Sequence, residues 1–512
     1  MSWLYKLLHM NKIPLFQLVV LILVWSANPC YSNGLKVASS FSSNMVLQQG
    51  MPVKIWGWDA PGSEVTVAFA TQQVTGTADA EGRWEVELGP LGVSRTGRTL
   101  RIEGSNRLEL SNVLVGEVWL CSGQSNMQWP VGKSMDGDLE LLMAKNPQIR
   151  HLTIPLKGTQ EPQAAFSGRW QMTHPSNMFW FPAVAYFFGE ILHEVVDVPI
   201  GLIACSWGGS TAEAWVRRDL LEADSRYSGY MDHWREVEAT YDHEAALEEY
   251  RKARDEAIAE GKKEPPKPRN PLEGQHRPGN LYNGMLKPIM GHTFRGVIWY
   301  QGEGNASRAA AYETLFPLLI TSWREEWGMG DFPFYWVQLA DFQKEVAAPR
   351  KHVPWAHLRD SQTATLSLPN TGQAVIYDVG EANDIHPINK QVVARRLARH
   401  ALAKVYDVEV AFESPRYASH RIEEGRVQVQ FNFCGGGLEA HDYHDVRGFA
   451  LAGEDEVFHW AEAAITGTDT IEVWSDAVSE PLYVRYAWEV NPVANVVSKE
   501  GLLLTPFRTD KF

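Results

Sequence analysis

The chain has 512 residues, too many for a single hydrophobic core and enough for about three domains. Apolar residues make up 45% and charged residues 21%, which excludes a wholly disordered chain. The net charge of -15 excludes a nucleic-acid partner, because binding phosphates takes clustered Lys and Arg.

The N-terminus begins with Lys6 and Lys12, followed by the apolar run LFQLVVLILVW (residues 15–25) and the small-residue stretch SANPCYS. That run is shorter than the ~20 residues a membrane span requires. Residues 1–32 therefore read as a signal peptide cleaved after Ser32, which predicts a secreted or periplasmic protein with no membrane span in its mature form. A lipid anchor on Cys30 is the alternative, although Asn28-Pro29 is a poor context for one.

Residues 33–113 carry short alternating segments at 52–58, 64–68 and 84–88, broken by Ala60-Pro61-Gly62 and by a turn at 79–82, and predict a small β-sandwich. From 114 to 404 the texture changes to α/β. Apolar strands are predicted at 198–204, 296–300 and 334–339, and helices at 184–195 and 312–327, a pattern that implies a parallel sheet covered on both faces. Residues 219–278 form a polar insertion with a charged helix at 243–262, read as a surface elaboration, with a lid over the site as the alternative. A helix is predicted at 390–404, and strands at 427–431, 470–474 and 482–486 make residues 405–512 a second β-rich module.

Cys121, Cys205 and Cys434 are too few and too scattered for a disulfide framework. No His/Cys/Asp cluster has metal-ligand spacing, so no metal is expected.

An apolar strand ending in Ser122-Gly123-Gln124-Ser125 places a serine where open α/β sheets bind ligands. Such a serine attacks an acyl carbon when a histidine takes its proton and donors face the developing oxyanion. His386 is the leading base, with Asp384 two residues before it, while His357 and His292 remain open. Oxyanion donors have three candidate sources: the N–H of Ser125, the glycine pair Gly208 and Gly209, and the side-chain amides of Gln301 or Asn305. Gln124, Asn126, Trp129, Trp207 and Glu303 flank these segments and are candidate substrate contacts, and Trp215 is a further candidate for stacking on a sugar ring. Ser206 is a rival nucleophile, because Ala204-Cys205-Ser206-Trp207-Gly208 approximates the nucleophile elbow of α/β-hydrolases.

Six blocks together resemble the SGNH-hydrolase superfamily, and within it the bacterial sialate O-acetylesterase family: GEVWLCSGQSNMQWPV (116–131), IGLIACSWGGSTAEAWV (200–216), NLYNGMLKPI (280–289), GVIWYQGEGNA (296–306), DIHPINKQ (384–391) and RYAWEVNPVAN (485–495). The resemblance implies a flavodoxin-like three-layer α/β/α esterase domain with N-terminal and C-terminal β-rich modules. It also implies cofactor-free chemistry with Ser125 as nucleophile, His386 as base and Gly208 or Gly209 as backbone oxyanion donor. The superfamily's acid stands three residues before the base, and Asn383 occupies that position here. This leaves Asp384, Asp378, Glu303 or a backbone carbonyl to orient His386. Gln301 stands in for the superfamily's oxyanion-binding Asn, and Gly304 stands where close relatives carry serine. The expected reaction is removal of O-acetyl groups from sugars, with sialic acids as first substrate, acetyl-xylan as second, and a non-catalytic carbohydrate-binding protein as the reading from another class.

Overall fold

Strand β1 (Arg107–Gly123) carries two burial patterns in one continuous element. Residues 107–112 alternate between exposed and half-buried, as suits a strand with one wet face, whereas everything from Val113 to Gly123 is buried, as suits a strand covered on both faces. The first half pairs with Ser94–Glu103 of the N-terminal module, and the second half is the centre of a parallel sheet. The change of texture read at 113/114 thus falls inside an unbroken strand. The computed structural model describes residues 34–442 and 445–511, so the predicted signal peptide and Cys30 lie outside the described residues.

In the N-terminal module Val53–Trp58 pairs with Arg83–Leu88, and Glu64–Phe69 pairs with Gln72–Thr77 and Ser94–Glu103. The last two strands were not legible because their sequences, QQVTGT and SRTGRTLRIE, are mostly polar. After β1 come β2 (Ile149–Thr153), β3 (Ile200–Ser206), β4 (Gly296–Tyr300), β5 (Phe334–Val337) and β6 (Thr371–Ala374). They lie side by side and parallel in the order β2-β3-β1-β4-β5-β6.

The helices that bear on the site and its surroundings are α1 (Ser125–Gln128), α2 (Ala183–Val196), the insertion's α3 (Ser228–Thr240) and α4 (His243–Ala259), then α5 (Ala309–Trp327) and α6 (Lys390–Val405). Alternate residues of β1 enter two separate cores. Val118 and Leu120 pack in the one that holds Leu315 and Phe316 of α5, and Trp119 and Cys121 pack in the one that holds Phe188 of α2 and Leu397 of α6. Helix α4 buries no residue and is capped by Asp242, which accepts from the N–H groups of Glu244 and Ala245. Among the described residues the C-terminal part forms two four-stranded sheets and one two-stranded sheet around a core that also takes in Val375 and Tyr377. Fully buried Arg359 fastens that part to the centre, donating to the carbonyls of Leu339, Ala340, Glu489 and Val490 at 2.7–3.1 Å. Among the described residues no helix is long and apolar enough to cross a membrane.

The chain leaves β1 for β2 and β3 on one side and returns to β4 on the other. Where strand order reverses in this way, the loops after the two strands diverge and leave a crevice. Ser125 follows β1 and Gln301 follows β4, so the loops that begin at these residues border it.

Candidate active site

Strand β1 ends at Gly123, whose φ of +139° and close approach to β4 admit no side chain: a Cβ there would lie 2.2 Å from the Tyr300 carbonyl oxygen. The approach lets the N–H of Gln124 donate to that oxygen at 2.9 Å and starts α1 at Ser125. As a first-turn residue, Ser125 has an N–H that its own helix does not satisfy. Its Oγ lies 2.9 Å from Nε2 of His386, 261 residues further along the chain.

His386 is held on its other sides. Its Nδ1 lies 3.2 Å from Oδ1 of Asp384, and the same carboxylate oxygen accepts the His386 backbone N–H at 2.9 Å. The Trp129 ring stacks on the imidazole with centroids 5.2 Å apart and planes 15° from parallel. Of the carboxylates weighed as orienting groups, Asp384 reaches the ring. Asp378 instead receives both terminal nitrogens of Arg396, each at 2.6 Å, and Glu303 accepts from Asn126.

Beneath the Ser125–His386 pair lies a buried polar cluster. Asn126 Nδ2 donates to Glu303 Oε1 at 2.6 Å and to the Ile385 carbonyl at 3.0 Å, while its Oδ1 accepts from Lys390 Nζ at 2.6 Å. Both side-chain polar atoms of Asn126 thus have partners inside the protein, and the residue is 1% exposed, which corrects its expected role as a substrate contact. Lys390 is fully buried, with its ammonium over the rings of Tyr300 and Trp129. Burial pushes its pKa down to about 7. Burial also raises the pKa of Glu303, whose Oε2 is enclosed without a hydrogen-bond partner. Glu303 therefore faces this cluster and supports the site from below. No role was read for Lys390 in the sequence, yet a signal was present: it falls on the apolar stripe of α6 with Val393, Ala394, Leu397 and Ala401.

The glycine pair after β3 lies beside the serine. A Cβ at Gly208 would be 3.5 Å from the Ser125 Cβ, and the Gly208 N–H donates to Oε1 of Gln128 at 2.9 Å. Gly209 follows in the left-handed region with φ +73°. Gln301 and Asn305 are corrected as oxyanion donors. The amide of Gln301 gives its hydrogens to Ser210 O and Asn305 Oδ1 at 3.1 and 2.7 Å and accepts from the Tyr312 hydroxyl at 2.9 Å. Asn305 donates to Glu213 and accepts from the Ala212 N–H, both at 2.9 Å. Gln124 is a latch rather than a free contact: its Oε1 accepts from the N–H groups of Gly302 and Gly304 at 3.4 and 3.1 Å. Gly304 is a close approach too, since a Cβ there would lie 2.7 Å from the Ser210 carbonyl oxygen.

Trp207 is half-buried beside the glycine pair, and Trp129 is occupied on one face by His386. Trp215 is core, fully buried against Trp299 and Trp323. Ser206 ends β3 at 6% exposure, and among the described residues no histidine lies within hydrogen-bond distance of it. His292 is buried against Phe41, and His357 packs on Trp488. Among the described residues no group of three or more His, Cys, Asp or Glu could hold a metal ion.

A serine and histidine in contact at the reversal of a parallel sheet define a hydrolase-type crevice, and comparison with known proteins specifies its class. Residues 115–247 and 271–399 match the family described as carbohydrate esterase, sialic acid-specific acetylesterase. The chain is 30% identical over 449 residues to the sialate O-acetylesterase of Mus musculus, covering 78% of this chain and 79% of that protein. It is 30% identical over 441 residues to the Homo sapiens enzyme, covering 78% and 76%. The crystal structure of a carbohydrate acetylesterase from Xanthomonas citri superposes with a TM-score of 0.79 at 35% identity, covering 93% of this chain and all of that one. The chain belongs to the carbohydrate esterase, sialic acid-specific acetylesterase family. It is a carboxylic ester hydrolase that removes O-acetyl groups from sugars.

Proposed function

We propose that this chain deacetylates O-acetylated sialic acids through an acetyl-enzyme on Ser125. The observation that carries the proposal is the 2.9 Å contact between Ser125 Oγ and His386 Nε2. As Oγ attacks the acetyl carbonyl, its proton passes to Nε2, and Asp384 at Nδ1 stabilises the imidazolium. The N–H groups of Ser125 and of Gly208, with Gly209 beside it, receive the oxyanion. Gln128 Oε1 holds the Gly208 N–H in the free enzyme, so the acetyl oxygen takes the place of one amide oxygen. His386 then protonates the departing sugar hydroxyl. A water, deprotonated by the same imidazole, releases acetate and restores Ser125.

The sheet order supports a finer architectural reading. Setting aside the edge strand β2, the order β3-β1-β4-β5-β6 is the 2-1-3-4-5 arrangement of flavodoxin-like folds, with α2 and α6 on one face and α5 on the other. On this reading residues 114–404 are an SGNH-type three-layer domain with its insertion at about 219–278, flanked by β-rich modules at 33–113 and 405–512. The charged and apolar run of residues 1–32 supports export to the periplasm or the medium. The sialic-acid substrate rests on the names of the family and its mammalian relatives. A second substrate reading, acetylated polysaccharide such as acetyl-xylan, stays open because the Xanthomonas citri structure, at the higher identity of 35%, is named as a carbohydrate acetylesterase without a stated sugar.

The test is acetate release from O-acetylated sialic acids and from acetyl-xylan, run side by side with wild type, Ser125→Ala and Ser206→Ala. The proposal expects the sialic acids to be the better substrates, Ser125→Ala to be inactive and Ser206→Ala to be active. Preference for acetyl-xylan moves the substrate, and activity lost only in Ser206→Ala moves the nucleophile.

A further inference from the structure

The polar insertion encloses an open cleft of about 840 Å³ beside the catalytic crevice. Thr211 and Gly304 lie on its inner wall, and Tyr230 and Trp234 of α3, His276 and Arg308 are among the residues that line the rest. The inner wall is one residue from the chemistry on both sides. The Gly304 N–H donates to the side chain of Gln124, the neighbour of Ser125. The Gly208 carbonyl accepts from Gln275 Nε2 at 3.3 Å, and Gln275 precedes the lining residue His276. The Tyr230 hydroxyl ties the outer wall to the inner, lying 3.1 Å from Thr211 Oγ1 and donating to the His276 carbonyl at 2.6 Å.

Arg308 is the cation of this cleft, and its setting is specific. Its guanidinium lies over the Tyr230 ring, 4.6 Å from the centroid. Its Nε and Nη2 both donate to a single oxygen of Glu213, at 3.3 and 3.2 Å, while the other oxygen of that buried carboxylate accepts from Asn305. Nη1 has no hydrogen-bond partner among the described residues, and the side chain is 33% exposed at the cleft wall. Glu213 and Tyr230 thus hold the fork rigid and leave one edge turned to solvent. A guanidinium fixed this way is suited to a carboxylate, because its planar donors need little further ordering.

We propose that this cleft is a subsite for a carboxylate-bearing sugar residue, with Arg308 Nη1 binding the carboxylate and the aromatic wall of α3 taking the pyranose ring. Two sources share that chemistry, nonulosonic acids such as sialic acid and the uronic acids of plant polysaccharides. The inference rests on the esterase reading of the neighbouring site. Glu213 compensates most of the Arg308 charge, so what the guanidinium offers an anionic sugar is the directed Nη1 donor rather than an attractive field. The insertion on this view supplies a wall for recognition and leaves the crevice open.

The experiment measures inhibition of p-nitrophenyl acetate turnover by N-acetylneuraminic acid and by galacturonic acid, each against its methyl ester, with full-length wild type and Arg308→Gln. The subsite predicts that at least one acid inhibits wild type at a concentration about tenfold lower than its ester, the size of one charge-assisted hydrogen bond, and that Arg308→Gln erases the difference. The acid that shows the difference identifies the source. Equal inhibition by acid and ester in wild type, no inhibition by either acid, or a difference that survives in Arg308→Gln overturns the proposal. The wild-type comparison stands even if Arg308→Gln, which strips a buried carboxylate of its partner, fails to fold. Turnover of p-nitrophenyl acetate without any acid-ester difference removes the subsite alone, whereas absent turnover removes the esterase reading.

Discussion

Asn126 Nδ2 donates to the carbonyl oxygen of Ile385 at 3.0 Å, tying the residue after Ser125 to the residue before His386. The two segments are more than 250 residues apart in the chain, and this hydrogen bond fastens the backbone of one to a side chain of the other. Lys390 and Glu303 grip the remaining polar atoms of Asn126, so the bridge itself is held in place.

Replacing Asn126 with Ala removes the bridge and leaves both Ser125 and His386 intact. The His386 loop then loses its register against α1, and misplacement of a base by an ångström costs about 100-fold in rate. Steady-state kinetics are expected to show that loss in kcat, with KM within a few-fold of wild type. An equal rise in KM with kcat unchanged would instead mean that Asn126 binds substrate.

Asp384 is a partner of moderate strength. Its side chain is 53% exposed and 3.2 Å from the imidazole, so in the proposed mechanism solvent screens its stabilisation of the imidazolium. Asp384→Asn is expected to lower kcat/KM by about 10- to 100-fold, well short of the roughly ten-thousandfold effect of a buried triad carboxylate. The same kinetics on Asp378→Asn are expected to leave kcat/KM near wild type, since that carboxylate is engaged by Arg396.

Gln128 Oε1 accepts the Gly208 N–H at 2.9 Å, so in the proposed mechanism it competes with substrate for that donor. Gln128→Ala frees that donor, so KM for p-nitrophenyl acetate is expected to fall about two- to five-fold, less than the worth of one full hydrogen bond. A large drop in kcat would show instead that Gln128 orders the loop.

Lys390 makes stability depend on pH. Its native pKa is about 7, against 10.5 for an ordinary lysine, so between those values the unfolded chain binds one proton more. Stability therefore carries its full burial cost below pH 7 and rises as pH climbs towards 10.5, by up to about 1.4 kcal/mol per pH unit. Urea unfolding of wild type and Lys390→Met at pH 7 and pH 9 tests this. The difference in stability is expected to move in favour of wild type at the higher pH, and an unchanged difference would mean that Lys390 stays protonated throughout.

The elements that position the site were legible because each is strongly patterned. Gly296–Tyr300 and Ile200–Ser206 are continuous apolar runs, and Ala183–Val196 carries a clear apolar stripe. Strands β2 and β6 were not, since IRHLT and TGQA are buried by their neighbours rather than by their own composition. At the site, the meeting of positions 125 and 386 could be expected from serine and histidine types at strand and helix ends. The commitments of amides could not. Gln301 and Asn305 look like free donors in sequence, yet their partners Ser210, Ala212 and Glu213 lie about 90 residues away. Arg308 was invisible for the same reason, because its meaning depends on Tyr230 and Glu213 arriving from another part of the chain.

The most direct measurement is covalent labelling of the full chain with a fluorophosphonate, followed by peptide mapping. Ser125 as nucleophile predicts a single phosphonylated site at position 125, with labelling slowed strongly in His386→Ala. An adduct on Ser206 with Ser125 unmodified, or labelling indifferent to His386, would contradict it.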